Sequence, residues 1–269
     1  RLSFSRRARK SKLHLFTQLF LVYAPENWPD NVTLYKPIEE SQILLNENAA
    51  SLTVQVFMHM TELRVKVIQK HNAEFMSPST GLPVLFCGNL VLSEPSPIIN
   101  FLKQKANNLS SHLNDVEITE LKAYIELVKN VLVPAELFIT WAHEDTIKKI
   151  TYKRYGSPYK WPLNHILCWR KRQQVLKLLS AIGWGNAQRS ISNVDEEVER
   201  CCHALSQKLG DKNYFFGDRP TELDALVFGH LYTLLTTTLP DNRIAESIRK
   251  FDNLVKFCQF VDEEYFRGT

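Results

Sequence analysis

The chain has 269 residues, 44% of them hydrophobic and 23% charged. That is enough apolar material for one or two domains with a real core, so no disulfide or metal staple is required. Its net charge of +4 includes +6 from residues 1–25, which hold no acid, leaving −2 on the remainder; a body of that sign argues against a nucleic-acid binder, which needs its own basic face.

Residues 1–12 are basic, with Arg6, Arg7, Arg9, Lys10 and Lys12. Residues 13–24, LHLFTQLFLVYA, are mostly apolar, but twelve residues fall short of the about 20 that span a bilayer. A basic run followed by Leu15, Phe16, Leu19 and Phe20 suits an anionic surface with the apolar side down. Arg6, Arg7, Arg9, Lys10 and Lys12 are therefore candidate membrane-surface contacts, and residues 1–26 are expected to be a tail, either disordered or lying on a membrane. The composition is also that of a mitochondrial transit peptide. No other window reaches 18 apolar residues, so attachment to a membrane is expected to be peripheral.

Beyond the tail, NVTLYK over 31–36 reads as a strand, and 48–63 as a helix with Ala50, Val54, Phe57 and Met58 on one side. Residues 65–69 alternate like a strand. Two short strands, 84–87 and 90–92, flank Gly88-Asn89, a hairpin signal. A helix over 97–105 follows, then the polar segment ANNLSSHLND over 106–115, read as a linker.

After the linker only helices are expected. One covers 117–142 with Pro134 inside. Another opens with Pro162 in its first turn and stops at Gly183, and a third covers 194–209, stopping at Gly210. The stretch RPTELDALVFGHLYTLLTTT over 219–238 is the most informative. Thr221 and Asp224 have the spacing of a capping box. Apolar residues then cover most of the helix circumference, the mark of a buried central helix. Gly229 within it permits close backbone approach. Helices over 243–250 and 254–265 complete the chain.

The 219–238 string resembles the core helix of the all-helical half of the glutathione-transferase fold, and more specifically the metaxin family. Further segments resemble the metaxin-2 branch of that family: NAASL (48–52), AEFMSPSTGLP (73–83), YGSPYKWPLNHIL (155–167), AIGWG (181–185) and YFF (214–216). The resemblance implies an α+β/all-α two-domain fold of glutathione-transferase type. Residues 27–105 would be a thioredoxin-like domain, 106–115 a linker and 116–269 an all-helical domain, with Pro83 at the structural cis-proline position. It also implies a non-enzymatic subunit of the sorting and assembly machinery on the cytosolic face of the mitochondrial outer membrane. That subunit would assist insertion of β-barrel precursors beside a membrane-anchored metaxin partner and the barrel-forming subunit. An adaptor role linking mitochondria to motor complexes is the alternative within the family, and a glutathione-dependent transferase or peroxidase the alternative outside it.

Glutathione chemistry requires a hydroxyl or thiol just after the first strand. Here Tyr35 falls within that strand, and Ser41 lies in a loop too long for the pattern. It also uses an acidic or Gln residue followed by Ser at the start of the helix after the hairpin, where backbone N–H groups hold the tripeptide's carboxylate. This chain has Glu94 followed by Pro95, with Ser96 one place late. No catalytic residue, cofactor site or metal site is therefore expected. Cys201-Cys202-His203 and His143-Glu144-Asp145 are consecutive on helices and diverge by about 100° per residue. They read as core cysteines with a surface His, and as a solvated helix end. His165, among Trp161, Leu163 and Ile166, reads as a packing His. Trp169-Arg170-Lys171-Arg172 with Lys177 reads as a basic helical patch, solvated or in contact with lipid headgroups or an acidic partner.

Overall fold

A computed structural model describes residues 28–71, 73–77, 79–106, 108–185 and 190–267. The membrane-surface candidates Arg6, Arg7, Arg9, Lys10 and Lys12 lie outside the described residues.

Four short strands make one mixed sheet: β1 (Thr33–Lys36), β2 (Lys66–Gln69), β3 (Val84–Cys87) and β4 (Leu90–Ser93), in the order β2-β1-β3-β4. β1 runs parallel to β2, with Leu34 opposite Val67, and antiparallel to β3, with Leu34 opposite Leu85. A parallel pair needs a crossover, and helix α1 (Leu45–Met60) supplies it. The β3–β4 hairpin turns at Gly88-Asn89, as its sequence signals, with Gly88 at φ +60°. Helix α2 (Pro95–Lys105) follows, and the bond between Leu82 and Pro83 is cis.

α1 starts three residues earlier than its sequence suggests. Leu44 is the N-cap and offers no polar side chain; Glu47 compensates by accepting the Leu44 N–H at 3.0 Å. α2 likewise begins at Pro95, since proline at a first helical position sacrifices only an orphan N–H.

The rest is helical. Segment 106–115 leads into α3 (Asp115–Trp141), which starts on a box between Asn114 and Glu117 with two 2.9 Å hydrogen bonds and carries Pro134 inside it. Short helical turns occupy Glu144–Thr146, Ile147–Thr151 and Tyr152–Tyr155. Then come α4 (Leu163–Ala181), α5 (Ile191–Leu209), α6 (Glu222–Thr236), α7 (Arg243–Arg249) and α8 (Asp252–Asp262), which runs on as a wider turn over Glu263–Arg267. No described helix is long and apolar enough to cross a membrane.

α6 lies at the centre. Leu223 to Leu231 are all buried, and its opening residues are fixed from several sides. The Asp224 carboxylate accepts the Thr221 N–H at 2.7 Å, the Thr221 hydroxyl at 2.6 Å and the Phe215 N–H at 2.9 Å. Lys103 of α2 pairs with Glu222, and Ser110 donates to the same carboxylate. α1 packs directly across α6 at Gly229. A Cβ on Gly229 would stand 2.2 Å from Thr53 Oγ1 and 2.7 Å from the Ala49 carbonyl oxygen, so the two backbones approach only because that side chain is missing.

Candidate functional site: the cleft beside the cis-proline turn

A cleft of about 580 Å³ opens between the turn over 79–82, the start of α2, and helices α1, α3, α4 and α6. Its rim at the sheet is a small polar cluster. Ser79 Oγ lies 2.8 Å from Ser93 Oγ, donates to Glu94 Oε1 at 3.2 Å and accepts the Gly81 N–H at 3.2 Å. Glu94 occupies the N-cap of α2 at φ +71° and ψ +147°, a sparsely populated conformation that costs a residue with a side chain about 1–3 kcal/mol. Its side chain folds over Gly81, where a Cβ would meet Glu94 Cγ at 2.3 Å. The Glu94 carboxylate is thus turned back onto the turn, with Ser79 as its hydrogen-bond donor.

The residues that a thiolate-stabilising site would use are not brought here. Tyr35 remains in β1, with its ring centroid 5.2 Å from that of Phe86, and Ser41 is exposed in the turn before α1; neither lines the cleft. Pro95 and Ser96 do line it, but Pro95 holds the first helical position and brings neither hydroxyl nor N–H to it.

The helical wall carries ionisable groups that sequence inspection missed. Glu136 of α3 and His230 of α6 meet at 2.7 Å, fully buried and 4% exposed respectively. Burial raises the Glu136 pKa against the opposing pull of His230. Glu47 of α1 is pushed up to about 7, chiefly by desolvation, with the Leu44 N–H working the other way. Glu74 accepts from the Tyr155 hydroxyl at 2.6 Å and from Lys171 at 2.9 Å. Desolvation first, then the hydrogen bond to Glu74, raise the Tyr155 phenol. These groups come from six separate segments, so no local spacing could have announced them. Glu136 and His230 both line the cleft, although they are almost wholly buried, and their contact joins α3 to α6.

The cysteines are equally enclosed. Cys87, Cys168, Cys201, Cys202 and Cys258 are all free thiols and all buried. Desolvation pushes the Cys168 thiol up to about 11 and Cys201 up to about 12, and it raises the other three as well. A nucleophilic thiol needs a lowered pKa and access, and these have neither. Cys201 and Cys202 are core residues while His203 is exposed beside Phe251, as their helical spacing requires. Glu144 and Asp145 are exposed, while His143 Nδ1 lies 2.9 Å from Thr146 Oγ1. Among the described residues no group of three His, Cys, Asp or Glu could hold a metal ion.

Two readings of the α4 region are corrected. His165 is exposed, and so are Trp161, Leu163 and Ile166 around it; the side of α4 that packs inward is that of Cys168, Val175 and Leu179. The basic patch is split. Lys171 turns inward to Glu74 and Arg172 pairs with Glu144, whereas Trp169, Arg170 and Lys177 face out.

Two family models match. One, described as an outer mitochondrial membrane transport complex protein, matches residues 51–172, and one for the glutathione S-transferase C-terminal domain matches 198–261. Metaxin-2 of Mus musculus is 51% identical over 245 residues, covering 91% of this chain and 92% of that protein. The chain belongs to the metaxin family. Human metaxin-2 is 50% identical over the same shares, and metaxin-1 of Mus musculus is 29% identical over 80% of this chain and 69% of its own length. Among solved structures, glutathione transferase F7 from Populus trichocarpa superposes with a TM-score of 0.54 at 14% identity, covering 86% of this chain and 93% of that one. The metaxin chain therefore has the glutathione-transferase-like fold, and at that identity the likeness speaks for fold alone.

Proposed function

We propose that this metaxin is a non-enzymatic subunit of a mitochondrial outer-membrane import complex. It would stand on the cytosolic face and assist insertion of β-barrel precursors with a membrane-anchored metaxin partner and the barrel-forming subunit. The observation that carries the reading is the match over 51–172 to a family described as an outer mitochondrial membrane transport complex protein. The likeness to metaxin-2 over nine-tenths of the chain and the weaker one to metaxin-1 support a metaxin partner. The cleft supports the non-enzymatic part: the start of α2 presents Glu94 and Pro95, and every described thiol is buried with a raised pKa. In this reading residues 27–105 and 116–269 are the two structural halves, joined by 106–115, and Pro83, Thr221 and Asp224 serve the fold alone. The basic tail, with Arg6, Arg7, Arg9, Lys10 and Lys12, would assist attachment at the surface.

Purification from mitochondria in mild detergent tests the assignment. A second metaxin and an outer-membrane β-barrel protein should come down with the chain. A motor adaptor in their place would move the role to mitochondrial transport.

A further inference from the structure

Ten Lys and Arg and no Asp or Glu lie between Thr146 and Val194, in a chain whose body is otherwise acidic. The structure consumes some of these cations internally. Lys171 goes to Glu74, Arg172 to Glu144, and Arg154 Nε donates to the Ile43 carbonyl at 2.9 Å. Lys160, Arg170 and Lys177 are exposed.

The same stretch exposes large apolar side chains. Trp161, just before α4, is 79% exposed; Leu163, Ile166 and Trp169 on the helix are 48%, 55% and 62% exposed. Leu163, Ile166, Arg170 and Lys177 recur at intervals of three, four and seven, which places them on one side of the helix. That side is opposite the one buried through Cys168, Val175 and Leu179. A contiguous apolar surface of this kind, rimmed by one sign of charge, marks an interaction site.

We infer that the outer side of α4, with Trp161, is a membrane-contact surface that takes the interface of an anionic lipid bilayer. Tryptophan concentrates at the headgroup level, where its ring is half apolar and its N–H half wet. The stems of Lys160, Arg170 and Lys177 can lie along the same apolar layer while their charges reach lipid phosphates. The absence of any acid over this stretch fits a negative surface that extends in a plane, and α4 provides the amphipathic contact that no spanning helix provides among the described residues. The inference deepens the proposed role at the outer membrane by naming the surface that touches lipid. It concerns lipid alone, so it can fail while the import complex still co-purifies, and the reverse.

The test uses the full chain and flotation with vesicles of phosphatidylcholine, alone or with about 30% phosphatidylserine to supply a negative surface potential. To separate the tail, Arg6, Arg7, Arg9, Lys10 and Lys12 are replaced by Gln in the background protein. That background should float with the anionic vesicles and not with the neutral ones. Brominated lipid should quench part of its tryptophan emission. In the same background, Trp161→Ala/Trp169→Ala and Arg170→Glu/Lys177→Glu should each lower the partition coefficient about tenfold or more. All four positions are exposed, so thermal midpoints should not move. Failure of the background protein to bind anionic vesicles overturns the inference, as does full binding by both variants. Variants that float normally but lose a co-purifying protein would show that the surface docks a protein and not lipid.

Discussion

Asp224 serves three donors with one buried carboxylate, and two of those donors are backbone N–H groups with no water to replace it. Asp224→Ala should therefore cost about 2–3 kcal/mol, since each orphaned buried donor costs about 1–3. Thr221→Ala should cost about 0.5–2 kcal/mol, the usual range for a cap residue. Denaturant midpoints measured with unchanged slopes decide both, and wild-type midpoints would mean that α6 starts by other means. Glu47 supports a pH prediction. Its folded pKa is raised from 4.5 to about 7, so between those values the native chain holds a proton that the unfolded chain has lost. Stability from this group is therefore greatest below about 4.5 and declines as pH rises to about 7. Glu47→Gln keeps an acceptor for the Leu44 N–H and removes the titration. The difference in unfolding free energy between wild type and variant should fall from pH 5 to pH 7, and a pH-independent difference would contradict the raised pKa.

At the scale of elements, the crossing of α1 and α6 sets the strictest constraint. Gly229→Ala brings a methyl against the Ala49 carbonyl, a backbone atom that cannot rotate away. The helix-propensity gain of about 1 kcal/mol should be outweighed by overpacking of about 1–3 kcal/mol or more. Thermal unfolding should show a lower midpoint, and Thr53→Ala should restore only part of it because the carbonyl stays in place. This element was legible in the sequence because its signals are local: a cap, an apolar circumference and one glycine. The strands were legible too, through alternation and the Gly88-Asn89 turn. The start of α1 was not, because Leu44 carries no capping side chain and Glu47 does its work from inside the helix. The turns over 144–155 carry no periodic pattern long enough to read. The outward side of α4 was misread for a physical reason: Trp161, Leu163 and Ile166 around His165 look like core, and sequence alone does not say that they are left exposed among the described residues.

For the whole molecule, the glutathione-transferase-like fold was readable from ordered segments along the chain, whereas the Glu136–His230 and Glu74–Lys171 contacts, each spanning about ninety positions or more, could only come from the folded structure. The fold invites a comparison of ligand. Calorimetry with glutathione should show no heat of binding up to millimolar ligand, and a dissociation constant below about 100 μM, near −5.5 kcal/mol, would restore a ligand-binding role to the cleft. Alkaline carbonate should release most of the protein from mitochondria, as expected of a chain in which no described helix spans a bilayer. Retention in the pellet would mean that it is integral or lipidated.

The junction at Glu222 has a mechanical consequence. Lys103, just before the 106–115 segment, and Ser110, within it, grip the first turn of α6, while α1 lies against the same helix at Gly229. The segment thus carries little of the tension between the halves. A protease that cut it would leave two fragments still clasped, eluting from a sizing column as one particle and parting only when denaturant loosens α6 itself.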